Sequence, residues 1–279
     1  MKDVVSVVIP AYNNAGTIAA TLRSVLAQTY RELEVIVSDH SSADDTVARV
    51  EPFLSDPRAR LVTCPPGGGA ARNWNHVTAL ATGTYLKLVC ADDLIYPTCL
   101  EQQVAAMREH PGATLVSCRR DLIDASGALL VRGRGLGALR ASVSGGTAVR
   151  TLVRAGSNLL GEPMCVLMRT EAVAAVGGWN PDRSYLIDED LYVRVLRGGD
   201  LVALPETLAA FRVTAGQWSV RLARSQAAET RQLHRALRAE SPDLVRRRDE
   251  LVGAVRASRT ALMRRVAYVV WRRRLQDPT

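Results

Sequence analysis

Residues 5–30 read VSVVIPAYNNAGTIAATLRSVLAQTY, and they set the architecture of the chain. At their start, Val4–Ile9 is a short β-branched run ended by Pro10, which predicts a buried strand. Thr17–Gln28 then spaces its apolar residues at helical intervals along one face. A buried strand followed at once by an amphipathic helix is typical of α/β proteins, so this start predicts that class.

Strands and helices continue to alternate through the first half of the chain. Short apolar runs predict strands at 34–38, 60–63, 85–89 and 114–118. Helical patterns fall between them, at 44–57, at 70–81 and from about Pro97. This order predicts a mainly parallel central sheet flanked by helices. Ligands bind such sheets beyond the carboxyl ends of the strands.

The pattern is less regular in the second half. Asp121–Val131 predicts a hairpin, and the Gly- and Arg-rich stretch Gly133–Gly146 predicts a mobile loop. A strand near Met164–Met168 and a helix from about Asp188 to Arg197 complete the predicted core.

Charge separates a neutral part of the chain from a basic part. Residues 217–279 contain 15 arginines and 6 acidic residues, whereas residues 1–216 contain 21 basic and 22 acidic groups. From Gln217 onward the pattern is also helical, with a break at Ser241-Pro242. We therefore expect one domain at 1–216 and a basic helical extension at 217–279.

The extension contains an amphipathic stretch at 256–275. Leu262, Val266 and Val270 share one helical face, and arginines lie on both sides of it. Such a helix can lie on an anionic membrane, pack on the rest of the chain or form a homodimer. We expect no nucleic-acid partner, because no nucleic-acid-binding module accompanies the arginines and aromatic residues make up only 5%.

The composition is that of a globular protein. The 279 residues are 47% hydrophobic and 23% charged, which excludes a wholly disordered chain. No apolar run is long enough to span a bilayer, and the first one is too short for a signal peptide. We expect a cytoplasmic protein, soluble or peripheral at the inner face of the membrane. Five cysteines without a C-x-x-C pair indicate free, buried thiols.

Polar side chains follow the first, second and fourth predicted strands. They are Tyr12, the pair Asp39-His40 and the pair Asp92-Asp93. Adjacent carboxylates repel each other unless a cation or hydrogen-bond donors lie between them. Mg²⁺ and Mn²⁺ prefer such oxygen ligands and often join carboxylates to substrate phosphates. The two aspartates therefore predict a metal–diphosphate site, with capping of the next helix as the alternative.

Other features carry weaker signals. Asp39 and the polar residues after it could hydrogen-bond a base or ribose, although Asp-Ser clusters usually form turns. Arg72 opens a helix after three glycines, a setting that suits a phosphate. The acidic helix start at 188–190 offers a general base, or only partners for the helix dipole. Trp179 could stack on a sugar or lie in the core.

Four motifs, taken in order and spacing, resemble those of inverting glycosyltransferases of family two. The motifs are VSVVIPAYNNAGTIAATLRSVLAQTY (5–30), EVIVSDHSSADDT (34–46), GGGAARNWNHVTALATGTYLKLVCADD (67–93) and GGWN…LIDEDLYVRVLRGG (177–199). The resemblance covers about Val4 to Val213. It implies the GT-A, Rossmann-like fold of nucleotide-diphospho-sugar transferases, Mg²⁺ or Mn²⁺ as cofactor, a UDP- or dTDP-sugar donor and a hydroxyl acceptor of open identity.

The resemblance also implies a role for each candidate residue. It puts one group of residues around the nucleotide sugar: Pro10, Tyr12, Asp39, His40, Arg72, Asp92 and Trp179. Tyr12 lies by the base in that arrangement, and Asp39 or its neighbour contacts base or ribose. Asp93 holds the metal, with Asp92 as a further candidate ligand.

The position of the catalytic base depends on the register of the last motif. Anchoring on Asp190-Leu191 and Arg194 puts the family's catalytic aspartate on Asp188, with Asp190 as the runner-up. Ile187 then stands where the family often has glutamate. His40 likewise stands where the family often has another aspartate.

The resemblance implies a metal-dependent, inverting sugar transfer by a single displacement. A non-catalytic nucleotide-sugar-binding or scaffold protein is the alternative, supported only by the departures at His40 and Ile187. A nucleotidyltransferase is disfavoured, because no G-x-G-x-R-like segment follows the first strand.

Overall fold

The computed structural model describes residues 3–214, 226–271 and 275. Within them, the strands are β1 (Val5–Ala11), β2 (Leu33–Asp39), β3 (Ala59–Thr63), β4 (Tyr85–Leu88), β5 (Leu94–Ile95), β6 (Ala113–Ile123), β7 (Leu129–Arg134), β8 (Ala141–Val143), β9 (Val166–Arg169) and β10 (Asp200–Arg212). The helices are α1 (Ile18–Leu26), α2 (Thr46–Val50), α3 (Gly69–Thr78), α4 (Cys99–Glu109), α5 (Gly145–Ala155), α6 (Thr170–Ala175), α7 (Ile187–Leu196), α8 (Gln226–Glu240) and α9 (Arg247–Val270).

All ten strands belong to one sheet. Its order is β3-β2-β1-β4-β9-β6-β10-β5, with β7 paired to β6 and β8 paired to β10. The longer ladders, β1–β2, β2–β3, β1–β4 and β6–β10, are parallel. The antiparallel ladders around β9, β5, β7 and β8 are shorter. The sheet is thus mainly parallel, as predicted, and becomes mixed towards the second half of the chain.

The first half folds as its sequence pattern predicts. β1 is buried along its whole length, as expected for a central strand with helices on both faces of the sheet. In α1, Ile18, Leu22 and Val25 are buried on one face. These side chains pack in the same hydrophobic core as β1 and β2, so the central strands are held firmly and their carboxyl ends have fixed positions.

The stretch Gly133–Gly146 is not one mobile loop, so that prediction is wrong. It contains the end of β7, two buried leucines, β8 and the first turn of α5. Gly145 serves close packing rather than flexibility, because a Cβ there would lie 1.8 Å from the carbonyl oxygen of Leu196. Strand β10, which pairs with three other strands, was also absent from the sequence-based prediction.

The predicted helices of the C-terminal extension are present as α8 and α9; residues 217–225 lie outside the described part. Helix α9 packs closely on α5, because Gly253 lets the two backbones approach: a Cβ there would lie 2.0 Å from the Val153 carbonyl oxygen. Asp249 of α9 also accepts hydrogen bonds from Arg150 and Arg154 at 2.9 and 2.7 Å. No described helix has both the length and the apolar character to cross a membrane.

Candidate active site

The carboxyl ends of β1 and β2 bring the first two polar clusters together. The parallel register pairs Ala11 with Asp39, so the residues that follow each strand are neighbours. The rings of Tyr12 and His40 meet edge to face with centroids 6.1 Å apart. Tyr12 is 60% exposed, which leaves an aromatic surface open at this edge of the sheet. Pro10 lies buried within β1.

Only one of the two carboxylate oxygens of Asp39 accepts a hydrogen bond from the described residues. Its Oδ2 accepts a hydrogen bond from the Ser42 backbone N–H at 3.1 Å, so the turn predicted for this segment is present. Its buried Oδ1 has no hydrogen-bond partner among the described residues. An unpaired buried acceptor is costly, and a hydroxyl or N–H group of a ligand would satisfy it.

A glycine loop after β3 borders this cluster. Gly67, Gly68 and Gly69 all have positive φ, a conformation that glycine adopts without strain. The His40 Nε2–H donates to the Gly67 carbonyl at 3.0 Å. Arg72 donates to the Pro66 carbonyl at 3.0 Å and remains exposed. The loop thus contacts both His40 and Arg72, two of the side chains that the resemblance assigns to the nucleotide.

Asp93 lies after β4 and is fully buried. Its Oδ1 accepts the Arg212 backbone N–H at 3.0 Å, whereas Oδ2 has no hydrogen-bond partner among the described residues. The Arg212 guanidinium donates to the Asp92 carbonyl at 2.9 Å. Burial, and next the charge of Asp92, raise the pKa of Asp93 well above its usual range. A bound cation would stabilise the ionised carboxylate, because it would offset both the cost of burying the charge and the repulsion from Asp92.

The donor set around Asp93 fits a divalent metal ion. The ligand atoms of Cys90, Asp92 and Asp93 all lie within 4.8 Å of one another. Burial and the carboxylates of Asp93 and Asp92 raise the pKa of the Cys90 thiol. Asp93, which also has an unpaired buried oxygen, belongs to this cluster, so the predicted metal site has suitable ligands and a buried negative charge that a cation would compensate.

Asp188 lies in the first turn of α7. It is near enough to Cys90 for its charge to contribute to the raised pKa of that thiol. Its carboxylate accepts hydrogen bonds from Asn158 Nδ2 at 2.9 Å and from the Glu189 backbone N–H at 2.7 Å. Desolvation, with a contribution from Glu162, raises the pKa of Asp188 to about 7.

Asp190, the alternative base, has a structural role instead. It forms ion pairs with Arg194 at 2.7 Å and with Arg183 at 3.6 Å. Arg194 also donates to the carbonyls of Val176 and Gly178, at 2.6 and 2.8 Å, and so fastens the glycine turn before Trp179 to α7. Both carboxylate oxygens of Asp190 face guanidinium groups, whereas Asp188 accepts its hydrogen bonds from neutral donors, so the geometry favours Asp188 as the candidate base.

Trp179 is not available for sugar stacking, so its assignment to the nucleotide-sugar group needs correction. Its side chain is 1% exposed and meets Trp74 edge to face at 4.9 Å. Its indole N–H donates to Thr78 Oγ1 at 2.9 Å. The ring is therefore part of the hydrophobic core, which was the alternative interpretation of the sequence.

The segment before Asp188 is held by residues that sequence reasoning missed. The Tyr185 backbone N–H donates to Glu229 of α8 at 2.9 Å. The Tyr185 hydroxyl is hydrogen-bonded by Arg264 of α9. Arg212 was missed too, because its role depends on the unpredicted strand β10. No local pattern marks such residues, since their partners lie far away in sequence.

A mainly parallel sheet with carboxylates beyond its strand ends is the arrangement that the resemblance to GT-A glycosyltransferases implies. Residues 6–176 match the family described as glycosyl transferase family 2, and the chain belongs to that family. It is therefore an enzyme that transfers sugars from nucleotide-sugar donors.

The chain is also similar in sequence to several bacterial proteins. The chain is 31% identical over 230 residues to the uncharacterized protein MT1568 of Mycobacterium tuberculosis, covering 79% of this chain and 70% of that protein. It is 27% identical over 202 residues to the putative glycosyltransferase EpsE of Bacillus subtilis, covering 70% and 67%. An Escherichia coli UDP-Glc:alpha-D-GlcNAc-diphosphoundecaprenol beta-1,3-glucosyltransferase, WfgD, is 38% identical over 103 residues, covering 37% and 40%.

Solved structures share the fold. S. aureus TarS 1-349 in complex with UDP-GlcNAc aligns with a TM-score of 0.64 and 19% identity, over 92% of this chain and 79% of that one. The mannosyltransferase PcManGT from Pyrobaculum calidifontis, in complex with GDP-Man and Mn²⁺, aligns with a TM-score of 0.66 and 19% identity, over 96% and 76%.

Proposed function

We propose that the protein is a metal-dependent, inverting glycosyltransferase. It moves a sugar from a nucleotide-diphospho-sugar to an acceptor hydroxyl in one displacement. The environment of Asp188 carries the proposal: its pKa is raised to about 7, its hydrogen bonds come from neutral donors, and it lies near Cys90 of the cluster that contains Asp93. A base with a pKa near neutrality suits proton removal from a hydroxyl.

The nucleotide binds at the ends of β1 and β2. The exposed ring of Tyr12 offers a stacking surface for the base, and the open Oδ1 of Asp39 accepts a hydrogen bond from base or ribose. Arg72 lies close by for negative charge on the nucleotide. UDP- or dTDP-sugars are the proposed donors, and the TarS complexes with UDP and UDP-GlcNAc support that choice.

Asp93 and Asp92 hold the proposed Mg²⁺ or Mn²⁺. When bound, the metal supplies Lewis-acid stabilisation for charge on the departing diphosphate. The PcManGT complex with Mn²⁺ supports divalent metal use in this fold. Arg212 positions both aspartates, through its backbone N–H to Asp93 and its guanidinium to the Asp92 carbonyl.

Asp188 acts as the general base. It accepts the proton of the acceptor hydroxyl while that oxygen attacks the anomeric carbon from the side opposite the diphosphate. One such displacement inverts the configuration and requires no nucleophile from the protein. Asn158 and the Glu189 N–H hold the carboxylate in place. Glu189 itself is buried and its pKa is raised to about 8, so it adds no second negative charge at neutral pH.

The test is the Asp188→Asn variant with UDP-glucose and dTDP-glucose as donors and water as acceptor. Loss of a general base should lower the turnover by roughly 10²- to 10⁴-fold, while calorimetric UDP affinity is retained. Asp182→Asn, an exposed change in the loop before α7, is the matched control and should behave as wild type. Full turnover by Asp188→Asn would refute the mechanism, and no turnover by any variant or by wild type would favour the scaffold alternative.

The outer face of α9 supports a peripheral membrane location at the cytoplasmic side. Its exposed apolar side chains lie opposite the face that packs on α5; they are Leu251, Val255, Leu262, Met263, Val266, Val269 and Val270. Exposed arginines at 247, 248, 259 and 265 lie beside them. An apolar face flanked by cations suits an anionic lipid surface. The extension at 217–279 is thus proposed as a membrane-docking segment on the domain at 1–216.

Flotation with liposomes of anionic and of neutral lipid tests this location. The double variant Leu262→Glu/Val266→Glu should stay unbound, whereas wild type should float with anionic vesicles only. The pair Ala228→Glu/Ala239→Glu adds the same charge to exposed positions of α8 and is the control. If wild type binds neither kind of vesicle but dimerises, and the α9 double variant is monomeric, then the exposed apolar face of α9 is a homodimer interface instead.

A further inference from the structure

Cys90 differs from the other four cysteines in what surrounds it. Cys99, Cys118 and Cys165 are buried near Gln103, whose side chain contacts all three, and Cys64 is buried at the end of β3. Cys90 is half-buried, and its sulfur lies within 4.8 Å of carboxylate oxygens of Asp92 and Asp93. The proposed reaction gives this thiol no task.

A second, independent observation concerns the buried carboxylate of this cluster. Asp93 is fully buried, and its Oδ2 has no hydrogen-bond partner among the described residues. A buried carboxylate oxygen without a donor is costly, and a bound cation is the partner that the surrounding acidic groups favour. Because a carboxylate oxygen of Asp93 lies within 4.8 Å of the Cys90 sulfur, a cation bound between them would be within reach of both residues.

We propose that Cys90 is a third protein ligand of the metal, as a thiolate whose proton is released to solvent when the ion binds, and that it turns the site away from Mg²⁺ towards more thiophilic divalent ions. The inference rests on the proposed metal-dependent function and deepens it. Mg²⁺ prefers oxygen ligands and keeps its water, whereas thiolate ligands favour softer ions such as Zn²⁺. Co²⁺ binds such sites and reports them through its absorption spectrum.

The experiment follows the near-ultraviolet thiolate-to-cobalt absorption band when Co²⁺ and UDP are added to the full-length protein. Wild type should develop the band, and Cys90→Ser should not. Cys64→Ser, which removes a buried thiol from the end of β3, separated from β4 by β2 and β1 in the sheet, should keep it. Thermal melting of each variant without metal verifies folding, and Cys90→Ala serves as a second variant if the serine is not tolerated.

Metal preference gives a second readout that does not depend on turnover. The ratio of UDP affinities measured with Co²⁺ and with Mg²⁺ should fall in Cys90→Ser by at least the roughly tenfold that loss of an outer-shell partner costs. Cys64→Ser should keep the wild-type ratio. A general loss of structure would lower both affinities together and leave the ratio unchanged.

The outcomes separate this inference from the proposed function. If Co²⁺ strengthens UDP binding without a thiolate band, and Cys90→Ser keeps the wild-type ratio, then Cys90 is no ligand while the metal-dependent function stands. If no divalent ion affects UDP binding in wild type, both the metal role and the inference fail.

Discussion

The nucleotide side and the base side of the active site are built in different ways. The donor half consists of the loops after β1, β2 and β3, whose side chains meet because parallel strands end at one edge. The base half consists of Asp188 and the residues that hold it. These residues come from the loop after α5, from α7 and from the C-terminal helices α8 and α9. The arrangement of the donor half follows from the order of strands and loops along the chain, whereas that of the base half depends on contacts between distant segments.

This difference implies that substitutions in the two halves should affect different properties of the protein. In the proposed donor half, Tyr12 and Arg72 are exposed, so their removal should cost nucleotide binding rather than folding. In the base half, Asp190 and Tyr185 take part in networks that support the fold around Asp188. Changes there should affect stability or turnover and leave nucleotide affinity intact.

The largest of these effects is expected from Asp190→Asn. Removing one partner of a buried ion pair leaves Arg194 without compensation, so the free energy of unfolding should fall by about 3 kcal/mol. Urea denaturation measures it. Glu240→Gln, which breaks the exposed pair with Arg197, is the control and should cost less than about 1 kcal/mol. Equal losses in the two variants would mean that Asp190 does not anchor the base half.

An intermediate effect is expected from Tyr12→Ala in the donor half. Loss of an aromatic stacking surface should weaken UDP binding by about 1–3 kcal/mol in calorimetry. The melting temperature should not change, because the ring is exposed. Tyr12→Phe keeps the ring and should bind UDP as wild type does. If UDP binds Tyr12→Ala normally, the base does not lie on this surface.

The smallest effect is expected from Tyr185→Phe. The change removes the hydroxyl that contacts Arg264 but keeps the backbone bond to Glu229. Loss of one hydrogen bond, about 0.5–1.5 kcal/mol, should lower kcat a few-fold without changing UDP affinity. A parallel fall in UDP affinity would show that the C-terminal helices support both halves rather than the base half alone.

The same contrast explains what could be predicted from sequence. β1, β2 and β4 begin within one residue of their predicted starts, because short, largely apolar runs that are buried on both faces have a strong local signature. Because the strands are predicted correctly, the positions of the polar residues that follow them are also predicted. β10 has no such signature, since Pro205-Glu206 interrupts its apolar pattern and the strand shifts register nearby.

Side-chain environments were harder to predict than positions. A carboxylate in the first turn of a helix looks the same in sequence whether it is paired, as Asp190 is, or held by neutral donors, as Asp188 is. Trp179, which lies between α6 and α7, gave no local sign of its contact with Trp74 of α3. Such distinctions arise from long-range packing, which motif spacing does not encode.

The pH dependence of kcat/KM for donor hydrolysis tests the role of Asp188 most directly. The base must be deprotonated to act, and burial raises its pKa to about 7, so the rate should rise as pH increases through about 7 and then level off. Asp190→Asn should keep this acid limb if the variant is folded. A wild-type profile that stays flat down to about pH 5, close to the range of an ordinary aspartate, would contradict the assignment.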